Sequence, residues 1–93
     1  MKGNSTYKVT NGKLIRIELQ AEQNKITSIK VSGDFFMHPE QAIQVLEKQL
    51  HNSELDEAKL QEKISSIVEE NSVQLFGFKP EDLAKAIMMA VKK

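Results

Sequence analysis

Residues 29–36 read IKVSGDFF, and they mark the point where a β-rich first third of the chain meets a helical remainder. Ile29, Val31 and Gly33 alternate with the polar residues Ser28, Lys30 and Ser32, which is typical of a strand with one buried face. Neighbouring side chains of an extended chain point to opposite faces. Phe35 and Phe36 therefore cannot both enter one core if the extended conformation continues beyond Gly33.

Two more strands are predicted upstream of this stretch. Apolar side chains occupy every second position from Ile15 to Ala21, with charged or amide side chains between them. This alternation indicates a strand with one face in solvent. A shorter strand should precede it, with Tyr7 and Val9 pointing to the same buried face.

The length of the turn between the first two strands can be inferred from the residues that each length would place opposite one another. A two-residue turn at positions 11–12 would place Lys8 opposite Ile15 and would mix polar and apolar faces. A three-residue loop at positions 10–12 instead places Tyr7 opposite Ile15. The three-residue loop is therefore predicted, with its glycine in the left-handed position of a bulge.

The same reasoning applies to the second turn. A three-residue loop at positions 23–25 places Ile17 opposite Val31 and Leu19 opposite Ile29, which keeps the apolar residues on one face. Together the two turns predict a three-stranded antiparallel meander.

Three helices are predicted to follow. Pro39 suits the first position of one helix, where a missing N–H costs little. Asp56 is predicted to be the N-cap of the second helix, and Pro80 should begin the third. The side chains predicted to be buried on these helices are Ala42, Ile43, Leu46, Leu50, Leu60, Ile64, Ile67, Val68, Leu83, Ala84, Ile87 and Val91.

This order of elements predicts the fold class. Strands that come first and helices that come afterwards are typical of an α+β protein. We expect a meander over residues 1–34, covered on one face by about three helices over residues 39–91. Ninety-three residues with 40% hydrophobic content suffice for one small core, so residues 1–93 are taken as a single domain.

Composition excludes several kinds of function. The chain has no Cys, which removes disulfides, thiolate metal sites and cysteine nucleophiles. The first residues lack the apolar run of a signal peptide, and nothing approaches the length of a membrane span, so we expect a cytoplasmic protein. Thirteen basic and thirteen acidic residues cancel, and the dense basic field of a nucleic-acid-binding protein is missing.

The cancelling charges are unevenly distributed along the chain. Residues 1–34 carry a net charge of +3, residues 35–78 of −5 and residues 79–93 of +2. Such a dipolar chain can dock with a preferred orientation on a charged partner. Ordinary solvated faces would account for the same distribution.

Few residues are candidates for chemistry. Asp34 and His38 are four positions apart and would be the acid and base of a small stand-alone enzyme. However, Asp commonly accepts backbone N–H groups at turns, and His51 at the end of the first helix suits the helix dipole. Glycines are scattered, so there is no phosphate-binding loop, and the His and carboxylate spacing does not match a metal site. We expect neither catalytic nor metal-binding residues.

Aromatic residues at the two strand–helix junctions are better candidates for a function in binding. Phe76 and Phe78 flank Gly77, just as Phe35 and Phe36 follow Gly33. Aromatic side chains contribute both to cores and to partner surfaces. One Phe of the first pair can equally close the core while the other packs under the first helix. The candidates for a partner interface are Asp34, Phe35, Phe36, Met37, Phe76 and Phe78.

Two segments carry a resemblance to a known family. Residues 29–36 and the stretch LFGFKPEDL at residues 75–83 resemble the C-terminal accessory domain of lipoate–protein ligases. With the spacing between them, the resemblance covers residues 8–91. In that family a large domain holds the nucleotide site and the catalytic lysine. The accessory domain is needed to activate lipoate as lipoyl-AMP, before transfer to a lysine of a lipoyl domain.

The resemblance implies a partner and cofactors. The chain looks like the separate small subunit of a two-chain, ATP-dependent lipoate–protein ligase, which forms a heterodimer with a large catalytic subunit. We expect no activity from the chain alone. ATP, Mg²⁺ and lipoate should bind in the large subunit, and lipoyl-domain proteins should be met only indirectly. A rival interpretation is a generic interaction module that offers its sheet edge or exposed aromatics to an unrelated partner.

Overall fold

Three strands at the start of the chain form an antiparallel sheet in the order β1-β2-β3. They are β1 (Lys2–Lys8), β2 (Leu14–Glu22) and β3 (Lys25–Gly33) of a computed structural model that describes residues 1–10 and 12–91. Every second side chain of β2 from Ile15 to Ala21 is buried, and the residues between them are exposed. The predicted one-sided meander is confirmed.

The predicted registers are also confirmed. Tyr7 lies opposite Ile15, and Ile17 lies opposite Val31. The first loop includes Asn11, which lies outside the described residues, so the predicted glycine bulge there stays a prediction.

The second loop is shorter than predicted, although the register is correct. Glu22 pairs with Lys25, so only Gln23 and Asn24 form the turn, and both have positive φ. Such a turn matches the twist of the two strands. Thr27 is an extra, unpaired residue in β3, which forms a β-bulge. This extra residue offsets the shorter turn, so the apolar side chains of β3 still face the core.

Three helices follow, as predicted: α1 (Ala42–Gln49), α2 (Glu57–Glu70) and α3 (Pro80–Val91). The side chain of Asp56 accepts a hydrogen bond from the Lys59 N–H at 3.0 Å, which confirms the N-cap of α2. Among the described residues, no helix has the length and apolar character that a bilayer crossing requires.

The predicted start of the first helix is wrong. Pro39 is not its first residue; the Pro39 carbonyl accepts from the Ala42 N–H in a turn that precedes α1. The reason is that residues 36–38 are held extended as β4 (Phe36–His38). This strand pairs antiparallel with β5 (Gln74–Phe76) in a second sheet, which lies partly within the segment predicted to be helical.

One hydrophobic core lies between the β1-β2-β3 sheet and the helices. Of the side chains predicted to be buried, Ile43, Val68 and Val91 are only partly buried and the others are confirmed. Ala86 and Ala90 were not predicted, yet both are buried against β1. Their small size allows α3 to approach the sheet closely, and the Ser5 hydroxyl donates to the Ala86 carbonyl oxygen at 2.7 Å.

Gly33 ends β3 and turns the chain out of the sheet. It was predicted to lie in the buried alternation, but it is exposed, with a φ of +151°. A Cβ at this position would collide with the Leu14 carbonyl oxygen. Both the backbone angle and the space therefore require glycine.

We predict that Gly33→Ala lowers the free energy of unfolding by about 1–3 kcal/mol, because it combines backbone strain with a steric clash. Urea denaturation monitored by circular dichroism measures this change. The control is Ser32→Ala at the exposed neighbouring position, which should stay within about 0.5 kcal/mol of wild type. Equal stability of the two variants would contradict the assigned constraint.

Candidate functional site

The two-stranded ribbon of β4 and β5 presents one face to solvent. Phe36 lies directly opposite Phe76, and His38 lies opposite Gln74. We call these four side chains the ribbon face. Phe36 is 68% exposed and Phe76 is 51% exposed, although both are large and apolar.

The other face of the ribbon is attached to the core. Met37 is buried, and Leu75, its partner across the ribbon, packs partly against the core. Side chains alternate between the two faces of a strand, so burial of Met37 leaves Phe36 and His38 on the outside. The exposure of the ribbon face follows from this anchoring.

A second aromatic pair supports the ribbon from within. The rings of Phe35 and Phe78 have centroids 4.6 Å apart and are tilted by 57°. Phe78 is buried and Phe35 is half-buried, and both belong to the packing of the core. In both sequence pairs, Phe35 with Phe36 and Phe76 with Phe78, one ring therefore packs against the core and the other lies in solvent.

Gly77 separates the two rings at the second junction. Its φ is +101°, and its carbonyl oxygen accepts from the Lys13 N–H at 3.0 Å. This bond ties the end of β5 to the turn between β1 and β2. It fixes the backbone between the two rings, so that Phe76 points into solvent and Phe78 points into the core.

Asp34 has a structural contact of its own. Its Oδ1 atom accepts from the Leu14 N–H at 2.6 Å, while its own N–H donates to the Leu14 carbonyl at 3.2 Å. The carboxylate thus satisfies a backbone donor, as expected for Asp at a turn. His38 lies on the ribbon face, and the two side chains do not line one hollow, as the stand-alone enzyme would need.

A shallow, mostly apolar hollow of about 550 Å³ lies over the ribbon face. Its rim adds the carboxylate of Glu40 to the aromatic side chains. Large exposed apolar side chains grouped together commonly mark an interaction surface. The hollow is lined by Phe36, Met37, His38, Glu40, Gln74 and Phe76.

Titratable groups with shifted pKa values lie elsewhere. The Lys59 ammonium donates to the Glu54 carboxylate at 2.6 Å, which lowers the pKa of Glu54 and raises the pKa of Lys59. Both side chains are exposed, so this is a surface ion pair beside the start of α2. Within residues 1–10 and 12–91, no three His, Asp or Glu side chains are grouped closely enough to share a metal ion.

Of the six interface candidates, the structure brings two together on the surface. Phe36 and Phe76 are cross-strand neighbours, whereas Met37 and Phe78 are buried, Phe35 is half-buried and Asp34 bonds to the backbone. Sequence reasoning missed His38 and Gln74 as members of the same face. Strands of three residues are too short for alternation to reveal them.

Comparison with known proteins gives consistent matches over nearly the whole chain. The model of the family described as bacterial lipoate protein ligase C-terminus matches residues 4–87. The chain is 37% identical over 90 residues to lipoate-protein ligase A subunit 2 of Thermoplasma acidophilum, covering 94% of this chain and 88% of that protein.

A solved structure gives the same result in three dimensions. It belongs to a study of an archaeal lipoylation system from Thermoplasma acidophilum, with a bipartite lipoate protein ligase and its E2 lipoyl domain. The matched chain superposes with a TM-score of 0.73 and is 34% identical, covering 94% of this chain and 92% of that one.

We predict that Asp34 contributes more to the stability of the fold than Phe36, which lies two positions further along the chain. Asp34→Ala should lower the free energy of unfolding by about 1 kcal/mol, because it removes the acceptor of the Leu14 N–H. Phe36→Ser should change it by less than about 1 kcal/mol, because it removes only one cross-strand contact of an exposed ring. Chemical denaturation compares the two. A larger loss for Phe36→Ser than for Asp34→Ala would contradict this division.

Proposed function

The chain belongs to the family of the lipoate protein ligase C-terminus, and we propose that it is the non-catalytic small subunit of a two-chain, ATP-dependent lipoate–protein ligase. Its partner is then a large catalytic subunit, and together they activate lipoate as lipoyl-AMP. The ligase transfers the lipoyl group to a lysine of a lipoyl domain, which this chain meets only through the complex. The similarity to a subunit of a bipartite archaeal ligase supports this assignment.

One observation carries the proposal: two large aromatic side chains lie side by side in solvent on an anchored ribbon. Aromatic residues at the centre of a surface patch are frequent hot spots of protein–protein interfaces. The Phe35 and Phe78 rings and the buried Met37 hold Phe36 and Phe76 in place before the partner arrives. The ribbon face is accordingly the docking surface for the large subunit.

Docking would act on the conformation of the large subunit. A partner shifts a conformational equilibrium only by binding one state more tightly than the other. We assign the tighter binding to the state whose active-site loops hold lipoate and ATP in attack geometry. Placing the two reactants correctly is itself a large part of catalysis.

The nucleotide, Mg²⁺ and lipoate belong to the large subunit in this proposal. Forming an acyl-adenylate requires cations that stabilise negative charge on the phosphate in a shielded site. The hollow of this chain instead carries aromatic rings with His38, Gln74 and the carboxylate of Glu40, and it is open to solvent. This set of side chains does not suit a triphosphate. A cytoplasmic location, which cell fractionation can check, is part of the same proposal.

We predict that the large subunit forms little lipoyl-AMP alone and reaches full rate when this chain is added. Single-turnover assays with radiolabelled ATP measure the intermediate directly. The small subunit alone should give no lipoyl-AMP. A full rate without the small subunit would contradict the accessory role, and stable co-purification with an unrelated protein would support the generic interaction module.

We predict that the double variant Phe36→Ser/Phe76→Ser binds the large subunit at least about tenfold more weakly, because two aromatic anchors are lost. Isothermal titration calorimetry measures the dissociation constant. The matched control is Gln61→Ser/Glu62→Ser, two exposed positions on α2. If the Phe variant binds with wild-type affinity and the control binds more weakly, the docking surface is on α2 and the proposal for the ribbon is wrong.

A further inference from the structure

The outer edge of β1 is left open by the fold. The Val9 N–H donates to the Lys13 carbonyl, and the Ala21 N–H donates to the Met1 carbonyl. In an antiparallel ladder the residues that bond to the partner strand alternate with those that do not. The odd-numbered residues of β1 therefore bond to β2. The N–H and C=O groups of Lys2, Asn4, Thr6 and Lys8 point away from the sheet.

The opposite edge of the sheet is covered in part by the chain itself. The Ile26 N–H donates to the Ser53 carbonyl at 3.0 Å, and the Asn52 N–H donates to the Ile26 carbonyl at 2.7 Å. Further along β3, the Glu47 carboxylate accepts from the Val31 N–H at 2.8 Å. In the described part of the chain, no strand or side chain covers β1 in this way. The fold thus protects one edge and leaves the other available to a further strand.

Charge disfavours a second copy of the chain, paired in full register, as the added strand. Two β1 strands that overlap fully in antiparallel orientation would place Lys2 of one copy opposite Lys8 of the other, twice. Like charges directly opposite each other destabilise a sheet. The same two ammonium groups favour a strand with acidic side chains at the matching positions. On the same face Arg16 lies opposite Thr6 and adds a positive charge, whereas Glu18 lies opposite Asn4 and adds a negative one, so the net charge of this face stays positive.

The underside of the edge provides apolar surface. On α3, Ala86 and Ala90 face β1, and the buried Ile87 lies on the core side of that line. Lys85 and Met89 each precede one of these alanines by one position, so helix geometry places them on the side of that line away from Ile87. The Lys85 ammonium is 5.3 Å from the centroid of the Tyr7 ring.

Met89 is 38% exposed, and Met1 at the start of β1 is 50% exposed. An extended segment at this edge would bring every second side chain against these methionines and against Tyr7. Methionine adapts its shape to such contacts. The edge therefore offers backbone bonds, a net positive charge on one face, and on the other an apolar surface that also carries the Lys85 ammonium.

We infer that the edge of β1 receives an extended segment of the large catalytic subunit, with acidic side chains opposite Lys2 and Lys8 and apolar side chains towards Tyr7 and Met89. This inference rests on the proposed function for the identity of the partner. Added strands of this kind gain affinity from backbone hydrogen bonds and specificity from alternate side chains. The edge and the ribbon face are then two separate parts of one interface.

The direct test is amide hydrogen exchange of this chain, followed by NMR with and without the large subunit. In the free chain the outward N–H groups of Asn4 and Thr6 should exchange quickly, because only water bonds to them. In the complex they should be slowed at least about tenfold. Exchange that is equally fast in both states would overturn the inference.

Two matched double variants distinguish the contribution of backbone donors to binding from that of the side chains. Asn4→Pro/Thr6→Pro removes two outward donors, and proline is tolerated at such edge positions. Asn4→Ala/Thr6→Ala removes the same side chains but keeps the donors. We expect at least about tenfold weaker binding for the proline pair and near wild-type binding for the alanine pair. Equal binding by both pairs, with both folded by circular dichroism, would overturn the inference.

A charge-reversal pair tests the predicted acidic partner. Lys2→Glu/Lys8→Glu should weaken binding at least about fivefold at low salt, whereas Lys25→Glu/Lys30→Glu on β3 should change it less than twofold. The reverse order would overturn the inference. So would a dimer of the isolated chain in sedimentation that the proline pair abolishes. If wild-type small and large subunits form no complex, the proposed function fails. If they form a complex and the edge substitutions leave its affinity unchanged, this inference alone fails.

Discussion

The one-sided sheet is the constraint on which the rest of the structure depends. Residues from Ile15 to Ala21 of β2 are apolar on one face only, so the sheet must be covered on that face and left in water on the other. All three helices have to supply buried side chains to the same side, and α3 comes close enough to β1 for a hydroxyl to bond to its backbone. The other face of this sheet carries exposed polar side chains, so it provides no apolar wall for an enclosed cavity.

Four residues at the end of β3 and the start of β4, Gly33 to Phe36, place an aromatic ring in solvent next to the covered sheet. Gly33 directs the chain out of the sheet, and Asp34 bonds to the Leu14 N–H and holds the new direction. Phe35 then packs on Phe78, so that the next aromatic ring has to point outward. The exposed pair of the ribbon face is therefore a consequence of packing, and it is present before any partner binds. A surface prepared in this way loses little conformational entropy on binding.

Much of the fold could be predicted from the sequence, because most of its elements are periodic. Alternation and parity gave the register of Tyr7 with Ile15 and the burial of β2, and Asp56 marked the start of α2. The second turn was wrong in length because a bulge at Thr27 and a shorter turn produce the same register. The β4–β5 ribbon could not be predicted, because its pairing depends on contacts between residues about forty positions apart. For the same reason the sequence suggested Phe36 and Phe76 separately but did not show them as neighbours.

The central claim is that this chain supplies a binding surface and no reactive group. A titration of the large subunit with this chain, with the rate of lipoyl-AMP formation measured at each concentration, tests it most directly. Phe36→Ser/Phe76→Ser is expected to shift this curve to higher concentrations of the small subunit, because the variant docks more weakly. A curve with the same midpoint and the same maximal rate as wild type would contradict the claim that the ribbon face is the docking surface.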